Sequence, residues 1–331
     1  MMKKRAVGLV LSLLALGAAV MASLAVGAQS IPFDEVWRAL WHGGGSEHAV
    51  VVRELRLPRT LLGLGVGAAL GLAGALVQAL TRNPLGDPGL LGVNAGASAA
   101  VVVAIAFLGI TAPLSYVWFA FAGALGAAVA VYALGSRGRG GATPVRLALA
   151  GTAVGAALQA LVSGIVMVDL NAFDKFRFWA VGSLSGRDLN VLAELLPFLA
   201  VGIALALALA RPLNSMALGD DVARALGVRL TRTRVLGAVA VVLLCGSATA
   251  SVGPLMFVGL AVPHLARAVT GPDQRWLMPY SVVLAAVLLL AADVAARLVA
   301  WPGELEVGLV TAFLGAPVLI ALVRGVRMAS L

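Results

Sequence analysis

The feature that most constrains this chain is a succession of long apolar runs joined by short polar links. In order they are Ala6–Ala28, Thr60–Leu80, Gly89–Ile110, Ser115–Gly135, Arg146–Val168, Val191–Ala210, Val235–Val252, Phe257–Val269, Leu277–Val299 and Glu306–Val323. Most approach the ~20 residues that an α-helix needs to cross a bilayer, and none alternates as a membrane β-strand does. Of 331 residues, 61% are hydrophobic and only 12% are charged, which excludes a soluble fold of this length. The expected fold class is an all-α polytopic membrane protein of ten transmembrane helices, with residues 1–331 forming a single domain. Ala6–Ala28 ends in small residues, as a cleavable signal does, but its length suits a retained first span. Phe257–Val269 is too short to cross as a straight helix. It is expected to start within the broken backbone of Ser251–Leu260, sheltered by its neighbours.

Basic residues orient the bundle. With the N-terminus in the cytoplasm, sixteen of the 24 Lys and Arg fall on the inner side. The other eight are Arg38, Arg53, Arg56, Arg59, Lys175, Arg177, Arg187 and Arg297. The net charge of +9 is therefore read as flanking the spans, and nucleic acid is excluded as a partner because aromatic stacking platforms are lacking. Residues 29–59 read as an outer interfacial helix and loop resting on membrane lipid. Phe33, Val36, Trp37, Leu40 and Trp41 share an apolar face, Ser30 is the expected N-cap, Pro32 suits the first turn, and Gly43–Gly45 form a flexible tip.

Residues 212–234 read as a cytoplasmic loop between spans six and seven. Within it, Asp220 and Asp221 are expected at the N-cap and first turn of a short helix, with Arg224 near its end and Gly227 just past it. Leu218, Val222 and Leu226 recur at i, i+4 and i+8, leaving an apolar face for a partner.

The chemistry that is missing narrows the function. The three lysines, Lys3, Lys4 and Lys175, follow no P-loop glycines, so the chain cannot hold ATP in that fashion. His42, His48 and His264 form no metal-ligand pattern, Cys245 sits in an apolar run as a small core residue, and no nucleophile has a neighbouring base. The chain is read as having no catalytic residue, no metal site and no cofactor of its own. The polar span residues Gln78, Asn94 and Gln159 are neutral, and Asp293 and Arg297 can pair at i, i+4. An ion-coupled carrier needs more midplane charge than this, so the energy source is expected outside the chain. Two Gly/Pro-rich breaks, Thr81–Gly92 and Ser251–His264, occupy corresponding points of two halves, as an internal repeat around a pathway would place them.

Several blocks carry a family resemblance. Arg56–Ala97 (RLPRTLLGLGVGAALGLAGALVQALTRNPLGDPGLLGVNAGA), Leu147–Ala156, Asn214–Val228, Gly253–Arg267 and Glu304–Val323 resemble, in colinear order, the FecCD/vitamin B12-type permeases of bacterial ABC importers. The resemblance implies a type II importer fold with ten helices, both termini cytoplasmic, in the bacterial inner or cytoplasmic membrane. It implies a second permease subunit, identical or paralogous, two ABC ATPase subunits that hold ATP and Mg²⁺, and a periplasmic or lipoprotein substrate-binding protein. Carried over by position, Leu218, Gly219, Asp220, Ala223, Arg224, Leu226 and Gly227 match the ATPase-coupling helix. Arg56, Arg59 and Arg297 match arginines that meet carboxylates of the binding protein, although interfacial anchoring is the plain alternative. Asn83 and Leu85 match an inner-gate loop, where Asn83 also suits a simple turn before Pro84. Thr143 is a looser match in the other gate loop, and His264 is read as structural. Phe173–Leu189 resembles the outer segment of ferric-siderophore permeases, and Lys175, Arg177 and Arg187 favour an anionic ligand. The resulting order of substrates is ferric siderophore, then haem, then cobalamin.

Overall fold

The computed structural model describes residues 2–27, 29–42, 46–110, 113–137, 143–187, 189–301 and 303–325. The Gly43–Gly45 tip and the inner-side Arg139 and Arg327 lie outside the described residues.

The first element is α1 (Met2–Ala25), followed by the short α2 (Phe33–Trp41) and α3 (Glu47–Val50). A π-helical stretch, Val51–Arg56, runs from α3 into α4 (Leu57–Thr81). Pro58 lies in the first turn of α4 and has no N–H to keep the i→i+4 ladder in register, which accounts for the wider turn before it. A 3₁₀ turn (Pro88–Leu91) then leads to α5 (Val93–Leu108), α6 (Pro113–Ser136), α7 (Pro144–Val168), α8 (Leu170–Ala180) and α9 (Leu189–Ala208). The second half holds α10 (Ala210–Met216), α11 (Asp220–Ala225), α12 (Leu230–Val252), α13 (Val258–Thr270), α14 (Gln274–Val299) and α15 (Val307–Gly325).

Each of the ten apolar runs falls on one of these helices. Among the described residues, seven helices are long and apolar enough to cross a membrane: α1, the continuous Glu47–Thr81, α6, α7, α9, α12 and α14. The remaining three runs fall on the shorter α5, α13 and α15. The expected break before α13 is present: Gly253 and Phe257 both take positive φ (85° and 68°), and Gly253, Leu255 and Val258 are buried. The other break, around Pro88, lies directly against it, because a side chain added at Gly259 would meet Pro88 Cδ at 3.1 Å.

The centre of the bundle is α4 with α12, α13 and α14 around it. Small residues decide this, since helices in lipid associate by close packing rather than by hydrophobic exclusion of water. Gly63, Gly67 and Gly71 recur every fourth residue along the side of α4 that meets α14. A Cβ at Gly67 would lie 2.7 Å from Ala286 Cα, and one at Gly71 would lie 2.3 Å from the Ser281 carbonyl oxygen. Gly74 touches α13, with only 1.8 Å between a built Cβ and the Gly259 carbonyl oxygen. Replacing Gly74 with valine therefore forces two backbones apart, and the subunit is expected to be lost from membrane fractions. Gly126→Ala is the control, because a Cβ there meets nothing within 4 Å. Equal membrane levels of the two variants would contradict this packing.

The segment before α4 departs from expectation in two ways. Helix α2 begins at Phe33 with Pro32 as its N-cap, not Ser30, because Pro32 is extended (ψ 146°) and already accepts the first backbone bonds at its carbonyl. Its apolar residues also divide between two faces. Val36 packs with Leu24, Ile31, Ala39 and Val52 in a small second core, with Leu40 against it. Phe33, Trp37 and Trp41 point outward, the two indoles 5.8 Å apart, as a belt at a membrane interface would.

Candidate functional site

Charged side chains gather at the two ends of α4, a helix of 25 residues that is ~37 Å long. At its N-terminal end, Arg59 grips Asp293 of α14 from Nε and Nη2 at 2.8–3.0 Å. Its Nη1 reaches Glu304 at 2.6 Å. Arg297, one turn after Asp293 on α14, donates to the same carboxylate at 2.7 Å, as the i, i+4 spacing anticipated. It also donates to the Ser23 and Val26 carbonyls at 3.0 and 2.6 Å. Arg56 donates to the carbonyls of Leu24 and Gln29.

Arg56, Arg59 and Arg297, matched above to arginines that meet carboxylates of the binding protein, are thus all engaged within the chain. They are only 6%, 9% and 3% exposed. Asp293, fully buried, draws two of the guanidiniums inward, and the end of α1 takes the third. Sequence spacing could show Asp293 beside Arg297 but not Arg59, which lies 234 residues from its partner. Beside the cluster is a cavity of about 880 Å³ lined by Arg53, Arg56, Arg59, Arg187 and Arg297 against Glu54 and Glu304, an excess of positive charge.

The opposite end of α4 carries the predicted coupling loop. Helix α11 has Gly219 as its N-cap, with φ 110°, so Asp220 and Asp221 are its first two residues rather than its cap. Its C-terminus closes as expected: Gly227 takes φ 81°, its N–H donates to Arg224 O at 2.9 Å, and Val228 N–H donates to Ala223 O at 2.9 Å. Ala223 is buried, while Leu218, Val222 and Leu226 are 64%, 46% and 61% exposed. Among the described residues, Arg224 pairs with Asp221, at 2.8 Å on the surface.

Asp220 does something the sequence did not disclose. Its carboxylate bridges Arg82, at the end of α4, and Arg234, in the first turns of α12, the latter at 2.7 Å. Burial pushes this carboxyl up, but the two guanidiniums outweigh that and hold it below its ordinary 3.8. The neighbouring loop is a tight turn: Asn83 Oδ1 accepts from Leu85 N–H at 2.9 Å, and Asn83 O accepts from Gly86 N–H at 3.0 Å. Asn83 is thus a turn-forming residue, exposed together with Leu85. Thr143 caps α7 through its hydroxyl, which accepts from Arg146 N–H at 3.4 Å.

A second tie in this layer was also missed. Asn214 of α10 donates to Asp273 at 2.7 Å and accepts from Gln274 N–H at 2.8 Å, which clamps the loop to the start of α14. The bond to Arg275 lowers the Asp273 carboxyl most; burial opposes it, Asn214 assists, and the net result is about 2. A depressed carboxyl stabilises the folded state above its unfolded value of 3.8, and that contribution is lost as pH falls toward 2. Asp273→Asn is therefore expected to melt below the wild type at pH 7, with the gap closing between pH ~4 and ~2. A gap that stays constant across that range would argue against the clamp.

Helices α7 and α15 are poorly covered by the rest of the chain. Only 11% of the apolar window of α7 is buried, and its exposed side carries Thr152, Gln159 and Ser163. On α15, Phe313 and Leu314 are 79% and 48% exposed. His264 lies on α13 with its Nδ1 buried and without a hydrogen-bond partner among the described residues.

Known proteins resemble the chain over nearly its whole length. The chain is 51% identical over 303 residues to the ferric enterobactin transport system permease protein of Escherichia coli K12, covering 91% of this chain and 90% of that protein. It is 40% identical over 302 residues to the Fe(3+)-citrate import system permease protein of Bacillus subtilis 168, covering 91% and 90%. Among solved structures, a metal-chelate type ABC transporter in an inward-facing conformation superimposes with a TM-score of 0.83 at 27% identity, over 96% of this chain and 98% of that one. A second match, PsaBC from Streptococcus pneumoniae, has a TM-score of 0.57 at 16% identity and shares the fold alone. The FecCD transport family description matches residues 13–325, and the chain belongs to that family.

Proposed function

We propose that this chain is the membrane permease subunit of an ATP-driven importer for a ferric siderophore in the bacterial inner membrane, with haem and then cobalamin as lesser alternatives. The observation that carries the substrate class is the near full-length likeness to permeases named for ferric enterobactin and Fe(3+)-citrate. The arginine-rich cavity beside Arg59 suits the same reading, since positive charge with low-dielectric walls attracts an anionic chelate or an acidic binding-protein rim. The exposed side of α7, which carries Thr152, Gln159 and Ser163 among apolar residues, faces a second permease subunit across the pathway together with α15. The exposed Leu218, Val222 and Leu226 dock on one of two ATPase subunits, which hold ATP and Mg²⁺. Movement of α11 then switches the pathway between its outward- and inward-facing states. Arg56, Arg59 and Arg297 support the receiving surface from beneath rather than reaching out of it. The test is ATP hydrolysis by the reconstituted complex with its binding protein, offered ferric enterobactin, ferric hydroxamate, ferric citrate, haem or cobalamin in turn. Stimulation by a ferric siderophore is expected, and stimulation by haem or cobalamin alone would overturn the substrate assignment.

A further inference from the structure

We infer that the Arg82–Asp220 ion pair is the link that carries movement of the coupling helix α11 to the Asn83–Leu85 loop, with Arg234 holding the carboxylate in place. This deepens the proposed function and rests on it. Three observations converge. First, Arg82 has φ 50°, and Arg82 and Phe257 are the two non-glycine residues at positive φ among those described. A left-handed arginine at a helix end is disfavoured where glycine is available, and such positions persist where the surroundings demand the side chain. Second, what that side chain does is reach Asp220, 138 residues on. Third, among the hydrogen bonds and ion pairs described for side chains of α11, those of Asp220 leave the helix, whereas Arg224 turns back to Asp221.

The geometry makes the loop respond as a unit. Arg82 N–H closes the last turn of α4 on Gln78 O, and Asn83 follows with its side chain fastened to Leu85 N–H. A displacement of Asp220 therefore pulls at the root of a turn whose own bonds resist deformation. Arg234, on the other carboxylate oxygen, fixes the direction of that pull and links it to α12. The side chains are 31–41% exposed, so the pair adds at most ~1 kcal/mol of stability. Its removal should change coupling far more than folding.

The backbone conformation supplies an unusually clean variant. Arg82→Gly deletes the guanidinium while leaving a residue that prefers the left-handed cap, so the fold is kept. The experiment uses the full complex with ATPase and binding protein in proteoliposomes, with radioiron-labelled ferric enterobactin as probe. Iron taken up per ATP hydrolysed is measured for wild type, Arg82→Gly, Asp220→Asn, the double variant and Arg82→Lys. Arg82→Gly is expected to keep its ATPase on purification and to hydrolyse ATP within about twofold of wild type, as a surface change does. Iron imported per ATP is expected to fall about tenfold in either single variant, to fall no further in the double variant, and to be largely restored in Arg82→Lys. Wild-type uptake per ATP in both single variants, or effects that multiply in the double variant, would overturn the link. Loss of the ATPase from Arg82→Gly would overturn it too, by making Arg82 a docking contact. A wild-type complex that imports none of the five ligands would instead refute the function on which the link rests, so the two failures are distinct.

Discussion

Asp293→Ala is expected to be the most damaging single substitution in this chain outside the helix contacts. The carboxylate is fully buried and accepts from both Arg59 and Arg297. Its loss leaves two guanidiniums in low-dielectric surroundings with Glu304 as the remaining acid among the described residues, beside the Ser23 hydroxyl and backbone carbonyls. Removing one partner of a buried ion network costs about 3–5 kcal/mol, because the charge left behind cannot regain its water. That is a large share of the ~5–15 kcal/mol by which proteins are stable. The effect should appear as reduced protein in membranes and a lower melting temperature in detergent. Asp293→Asn should fall in between, since an amide can still accept one bond but brings no charge. A variant as stable as wild type would mean that the arginines find water at this end and that the network is not what holds α4, α14 and α1 together there.

Replacing Leu218, Val222 and Leu226 together by serine is expected to detach the ATPase while leaving the subunit folded. All three side chains are exposed, Val222 on α11 and Leu218 and Leu226 just outside its two ends. The closing turn at Gly227, the buried Ala223 and the Asp220 ties are untouched by the change. Fully burying a leucine or valine is worth about 1.5–3 kcal/mol, and these three have about half of their surface left to bury, so losing them predicts association weaker by about a hundredfold or more. Co-purification and titration of the ATPase read this directly. Retention of wild-type affinity would show that the apolar side of α11 is not the docking surface.

How much of this was legible in advance depended on the range of the interaction. The spans were readable because a bilayer imposes length and apolarity on every segment locally. Gly227 was readable because a helix end with positive φ selects glycine. The Asp293–Arg297 pair followed from i, i+4 spacing on one helix. What escaped depends on tertiary approach. The partners of Arg59 were hidden because its acid, Asp293, is 234 residues away and its second partner, Glu304, is 245 away. Asp220 looked like a cap because acids favour helix starts, yet Gly219 takes that position and frees the carboxylate for Arg82 and Arg234. Asp273 before Gln274 carried a readable N-cap signal, but nothing local pointed to Asn214. Helical spacing along α2 suggested one apolar face, whereas the packing of Val36 and Ala39 beneath it left Phe33, Trp37 and Trp41 on another.

On the proposed function, this subunit moves an iron chelate only when a separate ATPase drives it through α11. The most direct measurement is radioiron uptake by proteoliposomes that hold the permease, with and without the ATPase and ATP, and with an imposed proton gradient as the alternative drive. Uptake is predicted only with the ATPase and hydrolysable ATP, and none with the Leu218, Val222, Leu226→Ser variant. Uptake driven by the proton gradient in vesicles lacking the ATPase would contradict the account.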